Sequence, residues 1–168
     1  FLYNASFKGM YAIHSASVLY KDKAWLFSGH SGAGKSTHTN MWKELFNTPV
    51  INGDLNLIDI NTTDGIPIVI GIPWCGTSGI YTSRSYPLGG ITFIKKDITD
   101  QVRRIDGDDA VLSIAQRMIS PCWNTRLLEN NLAASEKIAA GIIVFRLCCT
   151  KNPSSAFLMK EEIDNEYH

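Results

Sequence analysis

A glycine loop set between an apolar run and an amphipathic one constrains this chain more than any other feature. "AWLFSG", residues 24–29, reads as a buried strand, and "KSTHTNMWKELF", residues 35–46, has helical spacing at Met41, Leu45 and Phe46. Between them lies Gly29-x4-Gly34-Lys35-Ser36, which fits the pattern G-x-x-x-x-G-K-[ST]. Such a loop needs glycine where its backbone turns the N–H groups inward, and the start of the next helix adds its positive dipole end. Both features suit a phosphate group. Gly29, Ser31, Gly32, Ala33, Gly34, Lys35, Ser36 and Thr37 are therefore the candidate nucleotide-binding residues. Lys35 offers a cation to the terminal phosphates, and the Ser36 hydroxyl is a candidate ligand of Mg²⁺. This is the Walker A form of a P-loop, and it belongs on an α/β sheet.

The rest of the chain is compatible with one such domain over residues 1–168. "GMYAIHSASVLY" reads as a strand, "KDK" as a tight turn, and the pair as an antiparallel hairpin with "AWLFSG". Asn47 and Pro49 stop the first helix, and "PVING" follows as a short strand. "DLNLIDI" and "IPIVIG" flank a turn at "NTTDG". A loop from Ile72 to Pro87 leads to the strand "LGGITFIKK". It is too long for a plain connector. Helices are expected over 106–120, with Val111, Leu112, Ala115 and Met118 on one face, and over 124–140, with Leu127, Leu128, Leu132 and Ile138 inward. "PCW" separates them, "IIVFRLCC" returns as a strand, and Ser154 or Ser155 caps a last helix. The expected fold is α/β, a mixed β-sheet with flanking helices.

Charge narrows the partners. Lys and Arg number 16, as do Asp and Glu. That balance argues against a dedicated nucleic-acid surface. No apolar run is long enough to span a membrane, and no signal-peptide layout opens the chain. Its four cysteines, Cys75, Cys122, Cys148 and Cys149, form no C-x-x-C pair. They read as reduced thiols of a cytoplasmic protein, with Cys148 and Cys149 on opposite faces of a strand. The first residue is Phe1, not Met, which leaves room for a further N-terminal segment.

Phosphoryl transfer also needs a carboxylate near the metal and the acceptor. "VINGDLNL" places Asp54 at the end of a short apolar strand, so Asp54 is the candidate catalytic acid or base and second Mg²⁺ ligand. On its own, "NGD" reads equally as turn chemistry. His14, on the strand before the loop, is either a core or edge histidine or a site residue. Arg84 is either an exposed arginine or a group that stabilises transferred charge. His30 and His38 read as loop and helix-surface residues. "GIPWCGTSG" is either a lid or acceptor surface, or a structural loop.

The order of these pieces resembles the HPr kinase/phosphorylase family, within the wider group that includes ATP-type phosphoenolpyruvate carboxykinases. The resemblance runs through "HSASVLYKDKAWLFSGHSGAGKST", "VINGDLNLI", "GIPWCGTSGIYTSRSYPLGGITFI", "DDAVLSIAQRM" and "VFRLCC", most of the chain. The later blocks are more similar to the shorter HPr-kinase-like proteins found beside peptide-modification genes. The resemblance implies an ATP-dependent kinase, with ATP, ADP or pyrophosphate as donor and Mg²⁺ as cofactor. The acceptor would be a hydroxyl, typically serine, on a protein, a peptide or a free amino acid. Asp54 would act as general base, His14 would sit beside the transferred phosphate, and homo-oligomers are common in such families. Two departures stand out. HPr kinases carry a second acid where this chain has Leu55, and an L-E-[IV]-R-G-type run is not present. HPr itself is therefore not implied as acceptor. A non-catalytic nucleotide-binding module and a nucleotide hydrolase remain alternatives, although no N-K-x-D run reads guanine.

Overall fold

The computed structural model describes residues 1–167. Its elements run α1 (Leu2–Phe7), β1 (Met10–Tyr20), β2 (Lys23–Ser28), α2 (Lys35–Phe46), β3 (Val50–Asn52), β4 (Leu55–Asp59) and β5 (Ile68–Ile70). They continue with a 3₁₀ turn (Gly76–Ser78), β6 (Tyr86–Lys96), β7 (Gln101–Ile105), α3 (Gly107–Ala115), α4 (Thr125–Gly141), β8 (Ile143–Cys149) and α5 (Pro153–Asn165).

The hairpin of β1 and β2 closes through the two residues Lys21 and Asp22, both at positive φ. That is the twist a two-residue hairpin needs. From there the sheet is mixed. β2 pairs parallel with β6, β6 parallel with β8, and β8 antiparallel with β7. β1 divides its partners along its length. Met10 to His14 pair with β4, and Ser15 to Tyr20 pair with β2. β3 adds to the far half of β1, and β5 bridges β4 to the start of β6.

Strand alternation then sorts the side chains onto two faces. Trp25 and Phe27 of β2, with Phe145 and Leu147 of β8, meet Trp42 of α2 and Ala156, Met159 and Ile163 of α5. Ala24 and Leu26 of β2, with Ile91 and Phe93 of β6, meet Ala110 and Ile114 of α3 and Ile138 of α4. Helices therefore cover both faces, as a sheet with parallel strands at its centre requires. Gly89 and Gly90 of β6 belong to this packing. A Cβ on either would stand 2.7 Å from the Trp25 ring, so the "GG" pair is the space that ring occupies.

Several sequence expectations change here. Leu45 is exposed, and α2 instead buries His38 and Trp42. His38 is 1% exposed, not a helix-surface residue. The helix expected over 106–120 ends at Ala115, because the following residues bond to β1. His14 N–H donates to Arg117 O, Ile119 N–H donates to Ala12 O, and Met118 forms a bridge with Ile13. Leu112 and Leu128 face solvent. The inward stripe of α4 is Leu127, Asn131, Ala134, Ser135 and Ile138. Asn131 earns its inward place by donating to the carbonyls of Ser120 and Pro121, where "PCW" breaks the chain. Neither Ser154 nor Ser155 caps α5. The helix starts at Pro153, after Asn152, and Ser155 donates back to the Asn152 carbonyl. α1 and β7 are elements for which the sequence gives no expectation. β7, "QVRRI", is an edge strand with only Ile105 buried, so it carries no alternation to read.

Asn124 caps α4 through its side-chain oxygen, which accepts the Leu127 N–H at 2.9 Å. Asn124→Ala is expected to cost about 1 kcal/mol, read as a lowered urea midpoint at unchanged slope.

Candidate functional site

The division of β1 between two sets of partners opens the site. His14 makes the last pair with β4 and Ser15 the first with β2. At that point the sheet parts, and three chain ends meet. β2 ends into the glycine loop, the turn before β4 carries Asp54, and the stretch after α3 docks through Arg117. The junction is held by backbone bonds. Ser15 N–H donates to Asp54 O at 3.0 Å, and Ser28 Oγ donates to His14 O at 2.7 Å. Behind it, Asn56 Nδ2 donates to Ser15 O, and its Oδ1 accepts from Ser17 Oγ, both at 2.7 Å and all buried. The buried amide of Asn56 is thus bonded through both its oxygen and its nitrogen beneath the site.

The loop itself spans the end of β2 and the start of α2. Gly34 stands at the helix N-cap with φ 106°, and Gly32 has φ 74°. Side chains with a Cβ avoid both values, so the motif's glycines are conformational necessities. Lys35 is only 9% exposed, and its Nζ lies 3.3 Å from the carbonyls of Gly29 and His30. Burial pushes its pKa down, with Asp54 opposing and Arg117 adding to the shift.

Asp54 stands across from the loop. Its Oδ1 is 3.6 Å from His14 Nε2. Burial lowers the His14 pKa first, and Lys35 next; Asp54 pulls the other way, and Arg117 adds to the lowering. The net lowering favours the neutral imidazole of His14 beside the carboxylate. Asn52 aims the acid. Its Oδ1 accepts the N–H groups of Asp54 and Leu55, and its Nδ2 donates to the carbonyls of Ile72 and Trp74. One buried amide therefore fastens the acidic turn to the long loop. Gly76 completes the fit, with φ 57°, and a Cβ there would lie 2.7 Å from Asp54 Oδ2.

Asp54 and Ser36 line one cleft of about 370 Å³, together with Thr39, Asn40, Cys75 and Ser78. Among the described residues, no group of three or more His, Cys, Asp or Glu side chains is placed to hold a metal ion. The hard oxygens of Ser36 and Asp54 nonetheless suit Mg²⁺, which binds through one or two protein oxygens plus phosphate and water. Leu55, where a second acid would stand, turns to a small apolar cluster with Ala12, Leu57 and Ile72.

Arg84 does not join this constellation. It is exposed on the long loop, and its backbone N–H donates to Thr82 Oγ1. The arginine at the site is Arg117, which the sequence reading passed over. Its Nη2 lies 2.9 and 3.1 Å from the ring nitrogens of His30 in the loop. With His14, Gly29 and Ser31 it lines a groove beside the junction. The missed signal was its place just past a helix, where the chain turns back to the sheet. The long loop reaches the same cleft: Cys75, Thr77 and Ser78 line it together with Asp54. No helix among the described residues is long and apolar enough to cross a membrane.

No protein-family model and no curated protein matches the sequence. Among solved structures, the HPr(Ser) kinase/phosphatase from Coxiella burnetii superposes with a TM-score of 0.51 over 93% of this chain and 95% of that one, at 10% identity. At that identity the likeness is one of architecture: this chain has an α/β fold similar to that of an HPr(Ser) kinase/phosphatase.

Proposed function

We propose that the protein is a nucleotide-dependent phosphotransferase that moves the γ-phosphoryl group of ATP to a hydroxyl, that of a serine in a peptide, a protein or a small molecule. The observation that carries this is the meeting of Lys35, Asp54 and Arg117 where β1 divides. Asp54 stands 3.6 Å from His14, Arg117 lines a groove with His14, and both charges act on the buried Lys35, on an HPr-kinase-like fold.

In this reading the backbone of Gly29 to Thr37 holds the phosphates, and Lys35 turns from the loop carbonyls to the terminal ones. The carboxylate of Asp54 takes the proton of the acceptor hydroxyl. The hydroxyl oxygen forms the new P–O bond as the bond to the β,γ-bridging oxygen breaks, and that electron pair leaves with the nucleoside diphosphate. Neutral His14 keeps its ring against Asp54 without removing the charge the base needs. Arg117 releases His30 and meets charge spreading over the transferred group, a task that the sequence alone suggests for Arg84. Mg²⁺, held by Ser36 and Asp54, would neutralise phosphate charge.

The test is incubation with γ-labelled ATP and a panel of serine-bearing peptides, with phosphoserine read by mass spectrometry. Labelled serine, lost on Asp54→Asn, is the expected result. Absence of label on every acceptor, with ATP turnover indifferent to Asp54, would remove the kinase reading. It would favour a nucleotide-binding module, for which the apolar Leu55 is the specific argument. Gly76→Ala offers a graded version. The added methyl pushes on the Asp54 carboxylate, so transfer should fall roughly ten- to a hundredfold while nucleotide binding is kept.

A further inference from the structure

The cleft that holds Asp54 is lined by hydroxyls of the chain itself, and they are not equally committed. Ser36, Thr39, Thr77 and Ser78 all border it. Ser36 is the candidate metal ligand. Thr39 Oγ1 donates to Ser36 O at 3.2 Å. Ser78 Oγ donates to Cys75 O and accepts the Ile80 N–H at 3.2 Å. Thr77 is exposed, and its hydroxyl bonds to no other group among the described residues. Its proton and both lone pairs are therefore free for chemistry.

The fold seats the turn that carries Thr77 directly on the acidic turn. The 3₁₀ turn Gly76–Ser78 touches it at both ends. A Cβ on Gly76 would lie 2.7 Å from Asp54 Oδ2, and a Cβ on Gly53 would collide with Ser78 Oγ. Thr77 is the residue between these two close approaches. Asn52 fixes the arrangement, since its side chain binds the Asp54 backbone on one side and the carbonyls of Ile72 and Trp74 on the other. Chain connectivity thus keeps a hydroxyl beside the carboxylate with no binding step, and a group so tethered reacts as if at very high local concentration. The charge of the cleft agrees. Asp54 is the one charged residue that lines it among the described residues, so nothing there recruits an anionic acceptor, and a neutral hydroxyl on a polypeptide suits it.

We propose that Thr77 is an internal acceptor: the protein phosphorylates its own loop, in cis, at the Thr77 hydroxyl. The proposal rests on the reading of this site as a phosphotransferase. Asp54 takes the proton of the Thr77 hydroxyl. The Thr77 oxygen forms the new P–O bond to the γ-phosphorus of ATP as the bond to the β,γ-bridging oxygen breaks, and that electron pair leaves with ADP. Phosphorylation places about −1.5 to −2 charges on the rim of the Asp54 cleft, which makes the long loop a record of earlier turnover.

The full chain, first treated with a phosphatase that is then removed, is incubated with Mg²⁺ and γ-labelled ATP, with and without the serine peptides, and label on the chain is mapped by mass spectrometry. The expected result is a single phosphoryl group on Thr77, added at a first-order rate that does not change with protein concentration. Thr77→Val should lose it and Thr77→Ser should keep it, while both still gain thermal stability from Mg²⁺ and ATP. Asp54→Asn should slow it by about 10² to 10⁴, as for an external acceptor. Mapping on the wild-type chain keeps the test decisive if Thr77→Val is unstable. Label on a peptide with none on the chain would overturn the inference and leave the kinase reading in place. Label on another residue of the chain, a rate that rises with protein concentration, or Thr77 label indifferent to Asp54 would overturn it too. ATP binding with no label on the chain or on any peptide would remove the kinase reading, and this inference with it.

Discussion

Asp54→Asn is expected to lower phosphoryl transfer by about 10² to 10⁴ while leaving nucleotide binding nearly unchanged, because a positioned general base contributes that much to the rate. The substitution keeps the size of the side chain, so Gly76 still fits against it. The Asn52 bonds to the backbone of residues 54 and 55 are untouched. What is lost is a proton acceptor and one candidate oxygen ligand of Mg²⁺. Lys35→Ala should behave differently. Lys35 is the buried cation of the loop, and its removal should weaken binding and transfer together. The contrast is measured by thermal shift with Mg²⁺ and ATP, since a ligand at about 100 times its dissociation constant adds roughly 2.7 kcal/mol to stability. Retained stabilisation in Asp54→Asn with transfer gone supports the assignment. Equal transfer rates in wild type and Asp54→Asn would show that Asp54 is only a turn residue.

The second large effect concerns acid stability. His38 lies one turn into α2, 1% exposed, between Phe27 and Trp42. Neither ring nitrogen has a hydrogen-bond partner among the described residues. Burial drives its pKa down to about 4, with the charge of Asp100 opposing. The native state therefore holds His38 neutral, whereas the unfolded chain takes up a proton near pH 6.5. The stability tied to this difference is complete above about pH 6.5 and is lost as the pH falls toward 4. Across that window the loss amounts to about 3 kcal/mol. That is a large share of the 5–15 kcal/mol typical of a folded domain. His38→Leu should be at least as stable as wild type at pH 7.5, since it removes two unpaired buried nitrogens at similar volume. It should also unfold with a much flatter pH dependence between 6.5 and 4.5. Urea melts of both proteins across that range check it. The comparison between them cancels the paired carboxylates, such as Asp109, whose own stability contributions fade at lower pH. Parallel curves for the two proteins would rule out His38 as the source.

Both predictions depend on facts that were legible in the sequence to different degrees. The strand, the glycine spacing and the helix after it are local, and local chemistry specifies them. Gly32 and Gly34 take backbone angles that other residues resist, so the motif announces its own conformation. The hairpin is similar, since a two-residue link leaves the chain few alternatives. Asp54 could be singled out because its distance from the loop in sequence is short. α3 and α4 were legible as helices but not in phase. Leu112 and Leu128 are apolar yet exposed, while Asn131 is polar yet buried, because the carbonyls at Ser120 and Pro121 need its amide. No periodicity of apolar residues carries that information.

What the residues determined by themselves was thus the loop, the elements around it and the kind of chemistry its side chains can perform. The tertiary structure alone decided which distant groups complete the site. Arg117, and not Arg84, reaches the loop, because backbone bonds to His14 and Ala12 end α3 early and tie its last turn to β1. His38 is interior, because the parallel pairing of β2 with β6 places the Phe27 face of the sheet beneath α2 and α5. The physical reason is common to both. Local geometry is set by torsional preference and short-range hydrogen bonds. Contacts across the sheet are set by strand order, which depends on the joint burial of the whole chain.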